Sequence, residues 1–255
     1  MAEPIKKVSD RVLSRLAAAD NATVLGMLSR RGYLKVYMRG VRCLTPGRRL
    51  SARAVTLRYL PSRPDLAKRI ATGRYGEGFN VTPRWHALES LGPGDCFVGD
   101  AMGLSQVSTG GDVVFSTIVA RGAAGLVTDG AVRDGHKVVK YGFPVYAGGS
   151  TPTIGEPDIL PYEVNEPVQC GGVLVWPGDI LLGDDDGVVV VPSQLAEEII
   201  DEAVHHDEME EALIDHVLKN KVSPSRFYPF NEETSKLYER WKKQHKGPAR
   251  KKRAP

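Results

Sequence analysis

Two acids and one arginine near the middle of the chain have the types and spacing to do chemistry. Asp112 follows the pair Gly110-Gly111, and Arg133-Asp134 closes the same segment, with Asp134 placed 22 residues after Asp112. Carboxylate oxygens are ligands for hard divalent cations, and a guanidinium fork suits a carboxylate or an oxyanion. Glycines beside such residues free backbone amides, and a helix N-terminus turns those amides towards an anion. A lone Arg-Asp neighbour usually means a capped turn or a partnered charge. Here charges stand only where loops should be, around a strand, glycine turn and helix, which is how α/β proteins assemble small anion and metal sites.

The intervening residues must supply the positioning elements. A helix-like run extends from Asp112 to Ala120, and Arg121-Gly122-Ala123-Ala124-Gly125 is a small-residue turn. Gly125 to Thr128 reads as a short apolar strand, with Asp129 to Asp134 as the loop after it. Upstream, Val8, Val12, Leu16, Leu25 and Leu28 recur at helical spacing over residues 8–30. Asp20-Asn21 divides that run into two helices, and either residue suits the second cap. Ser51 to Tyr59 reads as a strand stopped by Pro61 and Pro64, whereas residues 62–90 show no regular period. The glycine-rich run Gly73 to Gly78 does not pass from a strand into a helix, so it is not read as a phosphate loop.

An internal echo marks two further turns. Pro93-Gly94-Asp95 and Pro177-Gly178-Asp179 each launch a four-residue apolar strand ending at Gly-Asp. The acids Asp184, Asp185 and Asp186 lack the later bidentate Glu of a calcium loop, so turn chemistry is the better reading. Val188 to Val191 is a buried β-branched strand. From Ser193, a cap, the pattern becomes helical to about Asn220, with Leu195, Ile199, Ala203, Leu213 and Val217 on one face and many acids around them. His205 and His206 point in different directions on such a helix, so a solvated face is preferred to metal ligation. A second amphipathic stretch, Glu232 to Trp241, leads into a basic tail. The expected organisation is an α/β core over residues 1–192, a helical extension over 193–240 that packs on a neighbouring subunit, and a flexible basic tail over 241–255.

Composition bounds these readings. The 255 residues are 42% hydrophobic and 25% charged, ordinary for a soluble globular protein with a substantial core. No run of 18 apolar residues suggests a membrane span, and Met1 to Asp10 is too polar for a secretory signal. Cys43, Cys96 and Cys170 form neither a disulfide framework nor a zinc motif, which points to a reducing cytoplasm. Seven positive charges lie beyond Trp241, and subtracting them from the net +3 leaves the remainder at −4. That tail has no aromatic residue beyond Trp241, so it is read as solvated and nucleic acid is not the expected partner.

The chain resembles the RraA-like family, which includes 4-hydroxy-4-methyl-2-oxoglutarate aldolase and a regulator of ribonuclease activity. The resemblance runs from about Val8 to Val191. It is carried by Pro93-Gly94-Asp95, Gly111-Asp112, Ala120-Arg121-Gly122, Gly125, Asp129-Gly130-Ala131-Val132-Arg133-Asp134, Pro144-Val145 and Gly187 to Pro192. It implies a β/β/α sandwich of the swivelling-domain type, assembled as a homotrimer or homohexamer. It also implies a Mg²⁺- or Mn²⁺-dependent (class II) lyase that cleaves a 4-hydroxy-2-oxo dicarboxylic acid to pyruvate through an enolate stabilised by the metal, with decarboxylation of oxaloacetate as a related activity. On that resemblance Asp134 matches the metal ligand, Arg133 the arginine beside it, and Asp112 an acid that orients water. The amides of Val113 and Val114 match the substrate-carboxylate site. An acid from a neighbouring subunit's C-terminal helix completes the family site, and Glu208 and Glu211 are the candidates.

The residues are consistent with that chemistry. A hard cation takes few protein carboxylates and keeps places for substrate oxygens, and arginine adds a planar donor that lysine does not match. A Schiff-base mechanism is disfavoured, because Lys137 and Lys140 are expected on an exposed helix or turn. The alternative function is a non-catalytic regulator of ribonuclease E or a related RNA-processing partner, which would not need Asp112, Arg133 and Asp134 together. A menaquinone methyltransferase label is rejected, because no strand-to-helix glycine motif for S-adenosylmethionine is present.

Overall fold

Runs of aliphatic and β-branched residues between Arg42 and Val191 pair into a mixed main sheet and a separate two-stranded sheet. The computed structural model describes residues 7–72 and 82–245, so the Gly73 to Gly78 run lies outside the described residues. Two helices lead in, α1 (Asp10–Leu16) and α2 (Asn21–Arg30). After the short β1 (Arg42–Cys43) comes the long β2 (Leu50–Pro61), then α3 (Pro64–Ala71) and α4 (Pro83–Ser90). Next are β3 (Asp95–Asp100), α5 (Asp112–Ala120), β4 (Gly125–Val132), a 3₁₀ turn over Gly135–Tyr141 and β5 (Val145–Ser150). They are followed by β6 (Ile159–Val164), the hairpin β7 (Val168–Cys170) and β8 (Val173–Val175), and the hairpin β9 (Ile180–Asp184) and β10 (Gly187–Val191). Two helices close the described chain, α6 (Ala196–Asn220) and α7 (Glu232–His245).

The main sheet runs in the order β1-β5-β4-β3-β2-β9-β10, with β6 also paired to β2. Strands β2, β3, β4 and β5 are parallel neighbours, and the flanking pairs are antiparallel. Alternation along the strands builds two cores. Leu57, Phe97, Leu126 and Val145 face one way and pack with Leu88 of α4 and Phe115 and Ile118 of α5. Ala54, Val98, Val127 and Tyr146 face the other way and pack with Val168, Val173 and Val175 of the β7–β8 hairpin. The layers are therefore a small sheet, the main sheet and the helices, the β/β/α order expected of the RraA-like type. Cys96 and Cys170 are buried, and all three cysteines are free thiols.

The echoed Pro-Gly-Asp turns are built alike. In each, proline precedes a left-handed glycine, Gly94 at φ +76° or Gly178 at φ +86°, as a type II turn requires. The Asp95 carboxylate accepts the Gly92 amide at 3.1 Å, and the Asp179 carboxylate accepts the Trp176 amide at 2.9 Å. Arg53 of β2 then fastens the first turn to the N-terminus. Its buried guanidinium pairs with Asp95 at 2.9 Å and Asp10 at 2.7 Å, and donates to the carbonyls of Val8 and Pro93. Removing one member of a buried pair strands the other, so Arg53→Met should lower the unfolding free energy by about 3 kcal/mol or more, read by urea titration.

Several boundaries differ from expectation for identifiable reasons. Residues 62–90 contain α3 and α4, each eight residues long and opened by a proline, too short to display a period. Asp20 stands at the cap of α2, yet its side chain pairs with Arg49 and Asn21 Nδ2 donates to the Gly187 carbonyl. Ser193 opens a 3₁₀ turn, and α6 proper begins at Ala196. Helix α7 reaches His245, so the start of the expected basic tail is helical. By compactness the chain divides into two units, residues 1–200 and 201–255, with the division inside α6. Within the second unit Met209, Ala212 and Tyr238 form a small core with Phe230 and Trp241. Among the described residues no helix is long and apolar enough to cross a membrane.

Candidate functional site

The end of β4 and the start of α5 meet in the first unit. Asp112 is the first residue of α5, and Gly111 stands at its cap. A side chain on Gly111 would meet Asp134 Oδ2 at 2.7 Å, and one on Gly110 would meet Val114 at 2.6 Å, so both glycines are required by closeness. Asp134 follows β4 with φ +55°, a left-handed conformation that Asp tolerates better than most residues. That turn aims its carboxylate back at α5, where Oδ2 accepts the Asp112 amide at 3.2 Å. A Cβ on Gly135 would strike Ser150 Oγ at 2.2 Å, so the chain turns there only because glycine follows.

The 3₁₀ turn then returns a cation to the two acids. Lys137 Nζ donates to Asp112 Oδ2 at 2.7 Å and to Asp134 Oδ1 at 3.1 Å, and Tyr141 donates to Asp112 Oδ1 at 2.9 Å. The hydrogen bonds to Asp112 and Asp134 hold the Lys137 ammonium above its usual pKa. Asp112 is held below the carboxylate range chiefly by Lys137, and Asp134 chiefly by the Asp112 amide and then by Lys137. This corrects the expectation that Lys137 is an exposed bystander. It also strengthens the case against a Schiff base, since a doubly paired ammonium has no free lone pair for a carbonyl.

Asp112 and Asp134 open on a cleft of about 200 Å³, lined also by Val113, Val114, Arg133, Arg84 and Glu156. The Arg133 amide donates to the Gly110 carbonyl at 2.7 Å, which ties β4 to the glycine pair. Its exposed guanidinium makes no hydrogen bond or ion pair among the described residues. The first turn of α5 leaves its leading amides without helical acceptors, so those of Val113 and Val114 sit at an anion-binding end. Arg84 Nη2 donates to Glu156 Oε1 at 2.9 Å, and its guanidinium lies 5.9 Å from the centre of the Tyr59 ring. Burial pushes the Glu156 carboxyl up, but the charges of Arg84 and Arg133 and its hydrogen bonds bring it below its usual value.

Asp112, Val113, Val114, Arg133 and Asp134 are thus brought together. Glu208 and Glu211 lie on α6 in the second unit, where Glu208 accepts the Tyr238 hydroxyl and Glu211 is exposed. The expected loop from Asp129 is instead strand through Val132. Asp129 is buried there because four donors satisfy it, namely the amides of Ala101, Gly103 and Gly171 and the Gln169 side chain. On α6, ligand atoms of His206, Asp207 and Glu210 lie within 4.8 Å of one another, a closeness that the divergence of His205 and His206 does not reveal.

The Asp112 and Asp134 pair fits a hard divalent cation. Its donors are carboxylate oxygens, they already converge on one positive charge at Lys137 Nζ, and the open cleft leaves places for water and substrate oxygens. Lys137, Tyr141, Arg84 and Glu156 were missed by sequence reasoning. For Lys137 the available signal was Asp134-Gly135, a turn pair that returns the chain; for Arg84 there was none beyond Pro83 as a helix start.

The family described as RraA-like: Aldolase/RraA matches residues 7–190. A 36% identical relative over 117 residues, 46% of this chain and 55% of that protein, is the "Putative 4-hydroxy-4-methyl-2-oxoglutarate aldolase" of Halalkalibacterium halodurans. An uncharacterized protein of Methanocaldococcus jannaschii is 40% identical over 101 residues, 40% of this chain and 48% of its own. The chain spans about half the length of these curated relatives. Among solved structures, Streptomyces coelicolor RraAS2, an unusual member of the RNase ES inhibitor RraA protein family, is 32% identical with a TM-score of 0.72. That likeness covers 82% of this chain and 98% of RraAS2. An uncharacterized Pseudomonas syringae protein, 22% identical with a TM-score of 0.75, covers 89% of this chain and 96% of its own and shares the fold.

Proposed function

The chain belongs to the RraA-like family, and from that premise we propose that it is a divalent-metal-dependent lyase cleaving a 4-hydroxy-2-oxo dicarboxylic acid to pyruvate. Decarboxylation of oxaloacetate is the related activity. The observation that carries this reading is the convergence of Asp112 and Asp134 on one cation beside the N-terminus of α5 and Arg133. A bound Mg²⁺ or Mn²⁺, held by Asp134 with Asp112 beside it, would supply Lewis-acid stabilisation of negative charge on the 2-oxo group.

The chain's own residues account for the remainder. The amides of Val113 and Val114 receive the carboxylate next to the 2-oxo group, and Arg133 gives two parallel donors to the oxygen that gains charge. Asp112 stays ionised and is already accepting from Tyr141 and Lys137. It is therefore a weak base itself, and it orients the water that takes the proton from the substrate's 4-hydroxyl oxygen as the C3–C4 bond breaks and returns a proton to C3, giving pyruvate. Lys137 keeps the two carboxylates together and limits their mutual repulsion.

A screen of 2-oxo acids with Mg²⁺, coupled to lactate dehydrogenase, tests the reading, and pyruvate release from a dicarboxylic substrate is expected. The RraAS2 likeness favours a second reading, a non-catalytic regulator of ribonuclease E or a related RNA-processing partner. Inhibition of such a ribonuclease with no lyase activity across the screen would select it. No nucleic-acid contact is proposed; a cytoplasmic location is part of this proposal, supported by the free thiols.

The assembly is proposed as a homotrimer or homohexamer in which α6 brings an acid to the neighbour's cleft. Glu208 is engaged by Tyr238, whereas Glu211 is exposed and makes no hydrogen bond or ion pair among the described residues, which favours Glu211. Mixing inactive Asp134→Asn subunits with inactive Glu211→Gln subunits should regenerate activity, because some mixed sites hold both acids. Rings shown to have mixed without regaining turnover would remove the shared site.

A further inference from the structure

Arg84 is a cation with more donors than acceptors. Its side chain is 16% exposed, and Glu156, its ion-pair partner, is 50% exposed at the cleft. The Nε atom is buried and has no hydrogen-bond partner. A guanidinium carries five N–H donors in a planar fork; because burial closes Nε to a ligand as well, a further acceptor meets the part of the side chain that also faces Glu156 and Tyr59. Arg84 shares its cleft with Arg133 and with Val113 and Val114 at the start of α5.

Charge defines that acceptor. Among the described residues Arg84 and Arg133 are the two guanidiniums that line the cleft; with Arg133 on the oxygen that gains charge and the α5 amides on the near carboxylate, Arg84 is the cation left for a second carboxylate.

We propose that Arg84 is the specificity residue that receives the substrate's second carboxylate, with Glu156 positioning its guanidinium, so that the protein selects 2-oxo dicarboxylates over 2-oxo monocarboxylates. This rests on the reading of the cleft as a 2-oxo acid site. The carboxylate nearest the 2-oxo group goes to the Val113 and Val114 amides, and the far one meets the terminal nitrogens of Arg84 beside Glu156.

Binding calorimetry on the full chain with Mg²⁺ tests it, using 2-oxoglutarate as the dicarboxylate and 2-oxobutyrate as the monocarboxylate. The parent should favour 2-oxoglutarate by about tenfold or more, the scale of a charge-assisted pair of hydrogen bonds. Arg84→Lys should lose most of that preference while binding 2-oxobutyrate as before. The double variant Arg84→Met with Glu156→Gln, which strands no charge if the single change fails to fold, should lose it entirely. Variants that keep the preference, or weaken both ligands equally, would overturn the assignment of Arg84 and leave the 2-oxo acid reading standing. A parent that binds neither ligand would overturn that reading and this assignment with it.

Discussion

Asp134→Asn is expected to lower pyruvate release by at least about a hundredfold, the scale on which metal sites respond when a ligand's charge is removed, while thermal unfolding stays close to the parent. Asparagine is the informative replacement because residue 134 sits at φ +55°. Asn tolerates that conformation, whereas Ala would add backbone strain to the chemical change. The amide oxygen can still accept the Asp112 N–H, so the turn into the 3₁₀ segment keeps its hydrogen bond. What disappears is the charge that Lys137 shares with Asp112. Mn²⁺ binding followed by electron paramagnetic resonance should weaken in step with turnover. Full activity with intact Mn²⁺ affinity would show that Asp134 only shapes the turn.

Arg133→Lys should be nearly as damaging, although the charge is retained. Its guanidinium lines the cleft and makes no hydrogen bond or ion pair among the described residues, so it is available to a ligand. Lysine offers a single compact charge in place of two parallel donors, and losing one oxyanion donor costs on the order of a hundredfold in kcat. The fall should appear in kcat more than in KM, because the donor matters most when charge develops. A loss below about fivefold, well under the usual donor effect, would assign Arg133 to long-range charge or structure.

Much of this site was legible in the chain itself. Gly110-Gly111 before Asp112 and the turn after β4 had the chemistry that the close approaches at Gly110, Gly111 and Gly135 explain. The repeated Pro-Gly-Asp turns also read correctly, because a left-handed glycine and an acid three residues after the turn's start are local features. Lys137 was not legible. Its reach depends on a positive φ at Asp134 followed by a 3₁₀ turn, and a helical reading of the same residues points it outward. Arg84 was hidden for a different reason, since α4 is too short to display a hydrophobic period and its role depends on Glu156, 72 residues later. Asp129 misled because an acid in a strand is expected at its end, and only the tertiary donors around it explain its burial.

The most direct measurement is pyruvate release by chelator-stripped protein as Mg²⁺ or Mn²⁺ is added back, in the presence of a 4-hydroxy-2-oxo dicarboxylic acid. The proposed metal-dependent lyase rests on hard oxygen donors that converge beside an anion-binding helix end. The account predicts no release after EDTA treatment and a saturable return of activity with either ion, absent in Asp134→Asn. Undiminished release from the stripped protein would contradict it.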